Sequence, residues 1–319
     1  MSHFVTVIGT IFIDCKGFAK QTYEAASRNL GSIQFVHGGV GRNVAENLAN
    51  LDIVTSFVST VDQSGIGNEV LTRLEKSGVQ VANVKAIPVA GMGMWLAILD
   101  ESGNLAGSIS QMPNLDHLSD LLLSKADSIV QSSSHIVLEM DLNEPISSQI
   151  IQLAKKYKKP VYGIPGNLEV VLQYPTLLEG LACFICNHHE AGKLFLNELS
   201  ELTPDAVLQL TKEYVQTSQL RSMVVTLGEK GSVYYDAIQQ VGGFQPVFPV
   251  NLVDSSGAGD AFFSGTVMGL IRGFTLKESV VCGTKVAGWT IESEENNCQT
   301  LRQQTAYDPF FQFLSVPMV

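Results

Sequence analysis

Residues 181–190, Leu181-Ala-Cys-Phe-Ile-Cys-Asn-His-His-Glu190, pass from an unbroken apolar run into a polar segment. An apolar stretch of strand length without polar alternation reads as a strand covered on both faces, as in a parallel sheet. The polar segment opens an amphipathic stretch over 188–198, so strand and helix form one βα unit. The same alternation recurs along the chain. Strands are predicted at 4–13, 53–59, 135–139, 161–164, 183–186 and 222–226, and helices at 42–50, 67–77, 145–155, 188–198, 204–217, 258–271 and 276–291. That order implies βαβ crossovers and an α/β fold with a mostly parallel sheet flanked by helices.

Two stretches break the rhythm. Residues 15–36 and 91–111 carry strand-like runs, the second folded around an Asp-x-x-Gly turn at Asp100, and they are expected to pair as a small separate sheet. There is no internal repeat, low-complexity tract or Pro/Ser-rich linker, so residues 1–319 read as one domain with these two stretches inserted.

The bulk composition narrows the function. With 45% hydrophobic and 16% charged residues, the chain can bury a large core. Acidic side chains outnumber basic ones 31 to 20, which argues against nucleic acid or an anionic membrane as a partner and requires any anionic ligand to be gripped locally. The first residues lack the basic region and cleavage site of a signal peptide, and the apolar run 261–270 falls short of the ~20 residues of a spanning helix. A cytoplasmic protein is expected. Five cysteines, an odd number, suit reduced thiols. Cys183 and Cys186 form a CxxC, but inside a buried strand, where neither redox nor zinc chemistry is expected.

Five places carry chemistry. In Asp254-Ser-Ser-Gly-Ala-Gly-Asp260, Gly257 and Gly259 let backbone approach a ligand at the start of a helix, whose free N–H groups and dipole favour an anion. Asp260 in that first turn can act on a hydroxyl beside the anion, or be no more than a helix-start charge worth at most ~1 kcal/mol. In Gly38-Gly-Val-Gly-Arg-Asn43 a glycine turn precedes a helix, and the Asn43 amide can both donate to and accept from a sugar hydroxyl. Asn187 and Glu190 either close a helix cap or turn two oxygen ligands towards Mg²⁺. Val224-Val-Thr-Leu-Gly-Glu-Lys-Gly231 ends a strand in a glycine turn that either passes under nucleotide phosphates, with Thr226 and Gly228 facing the ligand, or makes a hairpin. Asp14, read as the end of the first strand, either binds two adjacent sugar hydroxyls or forms a turn before Lys16 and Gly17.

Taken together and in this order, the motifs resemble the ribokinase-like (PfkB) family of carbohydrate and nucleoside kinases across essentially the whole chain. GGVGRN near residue 40 and DSSGAGDAFFSG near residue 255 are similar to that family's two signatures, joined here by NxxE and the TLGxxG turn. The resemblance implies a doubly wound sheet, a small β lid over the acceptor, ATP on the core and Mg²⁺ between the phosphates. It makes Asp260 the base, Gly257, Ala258 and Gly259 the anion hole, and Asp14, Gly38, Gly39 and Asn43 the sugar contacts. Asn187, Thr226, Gly228 and Gly231 fall on the nucleotide side, with Glu190 holding Mg²⁺ through water. Ser256 stands where the family usually has threonine, which bears on the K⁺ loop implied at Asp254 and Ser256. Homodimers through the lid are implied too, with Met94 and Leu96 on its outer face. Segments 31–51 and 94–112, and Asp-x-Lys-Gly at 14–17, are most similar to pseudouridine kinases, which favours that nucleoside. Ribose, fructose, a keto-deoxy acid or a purine nucleoside are alternatives, as is a non-catalytic relative of the fold. A nicotinamide dehydrogenase is disfavoured, because the first βα turn lacks its glycines.

Overall fold

The computed structural model describes residues 4–166 and 168–314, in which thirteen strands divide between two sheets. In chain order the strands are β1 (Phe4–Ile8), β2 (Phe12–Ala19), β3 (Gly31–Gly38), β4 (Val54–Asp62), β5 (Gln80–Ile87), β6 (Gly93–Leu99), β7 (Leu105–Gln111), β8 (His135–Glu139), β9 (Val161–Ile164), β10 (Cys183–Asn187), β11 (Ser222–Thr226), β12 (Ser232–Asp236) and β13 (Val241–Gln245). The helices are α1 (Val40–Asn50), α2 (Gly65–Lys76), α3 (Asp116–Ser132), α4 (Glu144–Lys156), α5 (Glu169–Gln173), α6 (His188–Phe195), α7 (Pro204–Thr217), α8 (Ala258–Ile271), α9 (Leu276–Ile291), α10 (Leu301–Tyr307) and α11 (Pro309–Leu314).

The large sheet runs β13-β12-β11-β10-β9-β8-β1-β4-β5, parallel from β11 to β5, with β12 and β13 antiparallel at one edge. From β1 the chain builds outward to β5 on one side and from β8 to β13 on the other, so the direction of winding reverses beside β1. A crevice opens at the strands' carboxyl ends at such a switch point. Side chains alternate between the two faces of a strand. Thus Val5 and Val7 join the core beneath α1, α2, α8 and α9, while Ile8 joins the core beneath α3, α4, α6 and α7. In β10 Cys183 belongs to the first core and Cys186 to the second, so the CxxC thiols face opposite sides of the sheet and share no site. Burial pushes the Cys183 thiol up to about 12 and Cys186 upward as well.

The strand expected at 4–13 is two strands in different sheets. β1 ends at Ile8, residues 9–11 cross between the sheets, and β2 starts at Phe12. The crossing is pinned at Thr10, whose N–H and Oγ1 each donate to Glu139 at 2.7 Å. Asp14 therefore stands in the small sheet, not at the end of the first core strand. That sheet runs β3-β2-β6-β7 and is built mainly from the two stretches that broke the alternation. Its Asp100 turn is held by Ser102 N and Asn104 N, each donating to Asp100 Oδ1 at 2.9 Å.

Helices 204–217, 258–271 and 276–291 fall where the periodicity puts them. The helix expected to reach residue 198 stops at Phe195, because Leu196 turns left-handed at φ 52°. No described helix is long and apolar enough to cross a membrane.

Candidate active site

Helix α8 opens the site. Asp254 Oδ1 accepts the Ser256 N–H at 2.8 Å, which turns the chain into Gly257. At φ 75° Gly257 is left-handed, and a Cβ there would lie 2.1 Å from the Asn296 carbonyl oxygen, so only glycine fits. Gly257 is also the N-cap, and no side chain caps the helix. The Ala258 N–H leans on the Ser255 carbonyl at 3.2 Å. The positive end of the dipole is thus presented without a side-chain cap, and Asp260 is the acid of its first turn.

Asp260 is the third residue of this helix. Its Oδ2 accepts from Asn43 Nδ2 at 2.7 Å, although the two residues are 217 apart in sequence. Burial pushes its pKa up to about 7 against the Asn43 hydrogen bond, with Glu139 and Glu190 adding to the rise and Arg42 opposing it. Part of its surface remains open to solvent. A carboxylate titrating near neutrality and reachable from solvent suits a general base.

The glycine loop supplies Asn43. β3 ends at Gly38, and Gly39 turns at φ 95° to start α1; a Cβ at Gly39 would lie 2.7 Å from both Phe12 N and Thr10 O. That close approach places Asn43 in the first turns of α1, where its Oδ1 accepts from Arg42 Nη2. Its amide keeps a second N–H beyond the one given to Asp260. Asp14, half-buried in β2, lies against Gly38, where a Cβ would come within 2.8 Å of Asp14 Oδ2. Burial raises the pKa of Asp14 against the pull of Lys16 and Arg42. Lys16 reaches across from the same strand, its Nζ 3.5 Å from Ser256 Oγ.

At the carboxyl ends of β10 and β11, Asn187 and Thr226 are register partners. Asn187 and Glu190 form a capping box, with Glu190 N donating to Asn187 Oδ1 at 2.9 Å and Asn187 N donating to Glu190 Oε2 at 2.8 Å. Burial raises the Glu190 pKa, and its charge is felt at Asp260. After Thr226 a one-turn 3₁₀ segment carries Gly228 at φ 60° and Gly231 at φ 112° into β12, so the stretch is a hairpin as well as the end of a core strand. Lys230 Nζ is tied to the Ser200 carbonyl at 2.8 Å. Among the described residues no group of three or more His, Cys, Asp and Glu side chains is placed to hold a metal ion.

The fold thus joins Asp260 to Asn43, Asp14 to Gly38, Asp254 to Ser256 and Glu190 to Asn187. The sequence reading did not single out Glu139, fully buried at the end of β8, which accepts Thr10 N, Thr10 Oγ1 and, at 2.9 Å, Gly41 N. A lone carboxylate closing the apolar run HIVLE was the available signal, since strand carboxyl ends face the crevice.

A family model described as pfkB family carbohydrate kinase matches residues 2–300. A guanosine-inosine kinase of Exiguobacterium acetylicum is 35% identical over 92% of this chain and 95% of its own length. A pseudouridine kinase of Escherichia coli is 27% identical over 92% of both chains. Among solved structures, the ribokinase of Giardia lamblia superposes with a TM-score of 0.81 at 17% identity, covering 96% of this chain and 99% of that one. An Arabidopsis thaliana ribokinase complexed with ribose and ATP gives 0.80 at 18% identity, covering 95% and 98%. These two likenesses establish a ribokinase-like fold. The chain belongs to the pfkB family of carbohydrate kinases. It is an ATP-dependent sugar or nucleoside kinase.

Proposed function

We propose that the chain transfers the γ-phosphoryl group of ATP to the 5′-hydroxymethyl of a nucleoside, with guanosine or inosine favoured. The preference rests on 35% identity to a guanosine-inosine kinase, against 27% to a pseudouridine kinase, over equal shares of this chain. Pseudouridine is the second reading, supported by that relative and by the Asp-x-Lys-Gly of β2.

The observation that carries the chemistry is Asp260, released from local capping and held by Asn43 at 2.7 Å. In this reading Asp260 takes the proton of the acceptor hydroxymethyl, while the N–H groups of Gly257 and Gly259, joined by that of Ala258 as it leaves the Ser255 carbonyl, receive the charge developing on the phosphoryl oxygens. Asp14, Gly38, Gly39 and the second N–H of Asn43 hold the ribose hydroxyls. Asn187, Thr226, Gly228 and Gly231 line the nucleotide side. The donor set fits a Mg²⁺ that keeps its waters, because Glu190, the carboxylate that follows β10, already spends one oxygen on its capping box. When bound, that ion neutralises phosphate charge. K⁺ at Asp254 and Ser256 belongs to the same proposal.

We further read residues 1–319 as one cytoplasmic domain with the small sheet as a lid over the acceptor. On one of its faces Phe35, Cys15, Leu96 and Ile109 lie in register, and Ile33 and Met94 share that face. Asp14 is on the other. Ile33, Phe35 and Ile109 are more than half exposed, and Met94 and Leu96 are exposed too, which suits a homodimer contact through the lid.

The test is ADP release with ATP and Mg²⁺ across guanosine, inosine, pseudouridine, uridine, ribose and fructose. The highest kcat/KM is expected for guanosine or inosine; a sugar preferred over every nucleoside sinks the nucleoside reading, and silence with all acceptors favours a non-catalytic relative. Loss of a buried hydroxyl partner costs ~1–3 kcal/mol, so 2′- and 3′-deoxy analogues should react at least about 5-fold more slowly.

A further inference from the structure

Arg42 is fully buried, and every part of its guanidinium is engaged. Nη1 donates to Glu46 Oε2 at 2.5 Å, Nε donates to the Gly38 carbonyl at 3.3 Å, and Nη2 donates to the His37 carbonyl and to Asn43 Oδ1. Glu46, also fully buried, is braced from behind by Arg73 Nε at 2.9 Å, Ser77 Oγ at 3.3 Å and Gln299 Nε2 at 3.4 Å. Arg73 in turn donates to Glu295 at 2.6 Å. A charge buried this deeply is costly unless paired and fully hydrogen-bonded. Here it is both, and one of its bonds ends on Asn43, which itself donates to Asp260.

The consequence lies in the amide of Asn43. A guanidinium only donates, so its contact fixes the oxygen end of that amide, and the NH₂ end is left to face Asp260. The reversed amide would set its oxygen against the carboxylate and its NH₂ against the guanidinium. The same guanidinium grips the carbonyls of His37 and Gly38, the last two residues of the strand that returns from the small sheet. Asn296 Nδ2 adds a bond to the His37 carbonyl at 3.3 Å, and Asn297 Nδ2 to the Asn43 carbonyl at 2.9 Å. We propose that Arg42 is the positioning residue of this site: it orients Asn43 to donate to Asp260 and locks that arrangement to the return strand of the small sheet. The proposal deepens the kinase reading above and rests on Asp260 as the base.

Around Asp260 stand Asn43 and Arg42 from α1, Glu139 from β8 and Glu190 from α6. Arg42 is the cation of this set and pulls the carboxyl down, while both glutamates push it up. His37, half-buried beside Arg42 and Arg73 and 3.7 Å from Glu69, is held below the ordinary histidine range by burial and the two arginines, and so leaves an acid limb at neutrality to Asp260.

The test measures kcat and KM against pH for Arg42→Met, Arg42→Lys and Glu46→Gln, with thermal melting alongside. Misplacing a reacting group costs up to about 100-fold, so Arg42→Met should lower kcat by roughly 10- to 100-fold with little change in KM for ATP, and should move the acid limb of kcat/KM to higher pH. Arg42→Lys should bring the limb back while kcat stays low, because an ammonium restores the charge and not the fork. Glu46→Gln strips the counter-charge and should move the limb the other way, to lower pH. Arg42→Met with an unmoved limb and kcat within about 2-fold of wild type overturns the proposal, since a purely structural arginine would change melting alone. If Arg42→Met does not fold, Glu46→Gln decides: a limb displaced downward supports the proposal and an unmoved one overturns it. If the wild-type protein phosphorylates no acceptor, the kinase reading has failed on its own account; the same shifts are then sought in the NMR titration of the Asp260 carboxyl carbon, where their absence overturns the positioning role.

Discussion

Helices α8 and α9 pack against each other and begin alike, each with an acid as its third residue, yet the two acids take different partners. At α9, Glu278 folds back to accept Thr275 N at 2.9 Å and Thr275 Oγ1 at 2.6 Å, while its own N–H donates to Thr275 Oγ1 at 3.3 Å. That box is closed within four residues and stabilises the helix start. At α8 the N-cap is glycine, no box can form, and Asp260 takes its hydrogen bond from Asn43 on another helix. Glu190 at α6 lies between the two, boxed with Asn187 yet near enough to Asp260 to raise its pKa. An acid at the third position of a helix is therefore a stability device when the N-cap can answer it. Where the cap is glycine, the acid is left to a partner from elsewhere in the fold.

The sharpest way to break this comparison is Asp260→Asn. General-base catalysis contributes ~10²- to 10⁴-fold, so kcat should fall by about that factor while acceptor affinity by calorimetry changes little. Melting temperature should hold or rise slightly above pH 7, since an ionised Asp260 is a burden to the folded state there. Joint loss of stability and activity would instead make Asp260 structural, like Glu278.

Next in size is Gly257→Ala. The left-handed φ costs roughly 1–2 kcal/mol for an L side chain, and the new Cβ would meet the Asn296 carbonyl at 2.1 Å. Displacing the N–H groups of the helix start should lower kcat on the order of 10²-fold, the loss seen when one such donor is removed. Kinetics and chemical denaturation together separate the two effects; normal kcat in the variant argues against an anion hole here.

The pH dependence is smaller but has a definite sign. The base must be ionised, so kcat/KM should rise with pH through an apparent value near 7. Because the folded pKa is raised, the group's contribution to stability is fully present below the unfolded carboxylate value and is lost as pH rises through about 7. The stability difference between wild type and Asp260→Asn should therefore shrink and then reverse over that window, as followed by melting. A flat difference removes the electrostatic half of the comparison.

Smallest is Thr275→Ala, which opens the box at α9. It should cost ~1 kcal/mol and lower the melting temperature by about 1–2 °C with kcat unchanged. A matching fall in kcat would show that α9's start communicates with the site.

What could be read from the amino acids alone were the features carried by neighbours in the chain. Apolar runs and helical spacing placed most core elements, glycines at 39 and 257 marked the turns, and the N-to-N3 pairing of Asn187 with Glu190 was visible as a cap. Family resemblance then gathered these motifs into one site. What only the tertiary structure decided depends on contacts between residues far apart. The run 4–13 looks like one strand because no charge or proline interrupts it; its division between two sheets is set by Thr10 meeting Glu139, 129 residues on. Asp260 and Glu278 look alike in local sequence, and only the arrival of Asn43, 217 residues away, separates them. In the sequence Arg42 is one letter of the glycine-rich GGVGRN motif, and its burial appears only when Glu46, Arg73 and the carbonyls of β3 close around it. Burial and charge are summed over everything nearby in space, whereas a sequence displays only what is nearby along the chain.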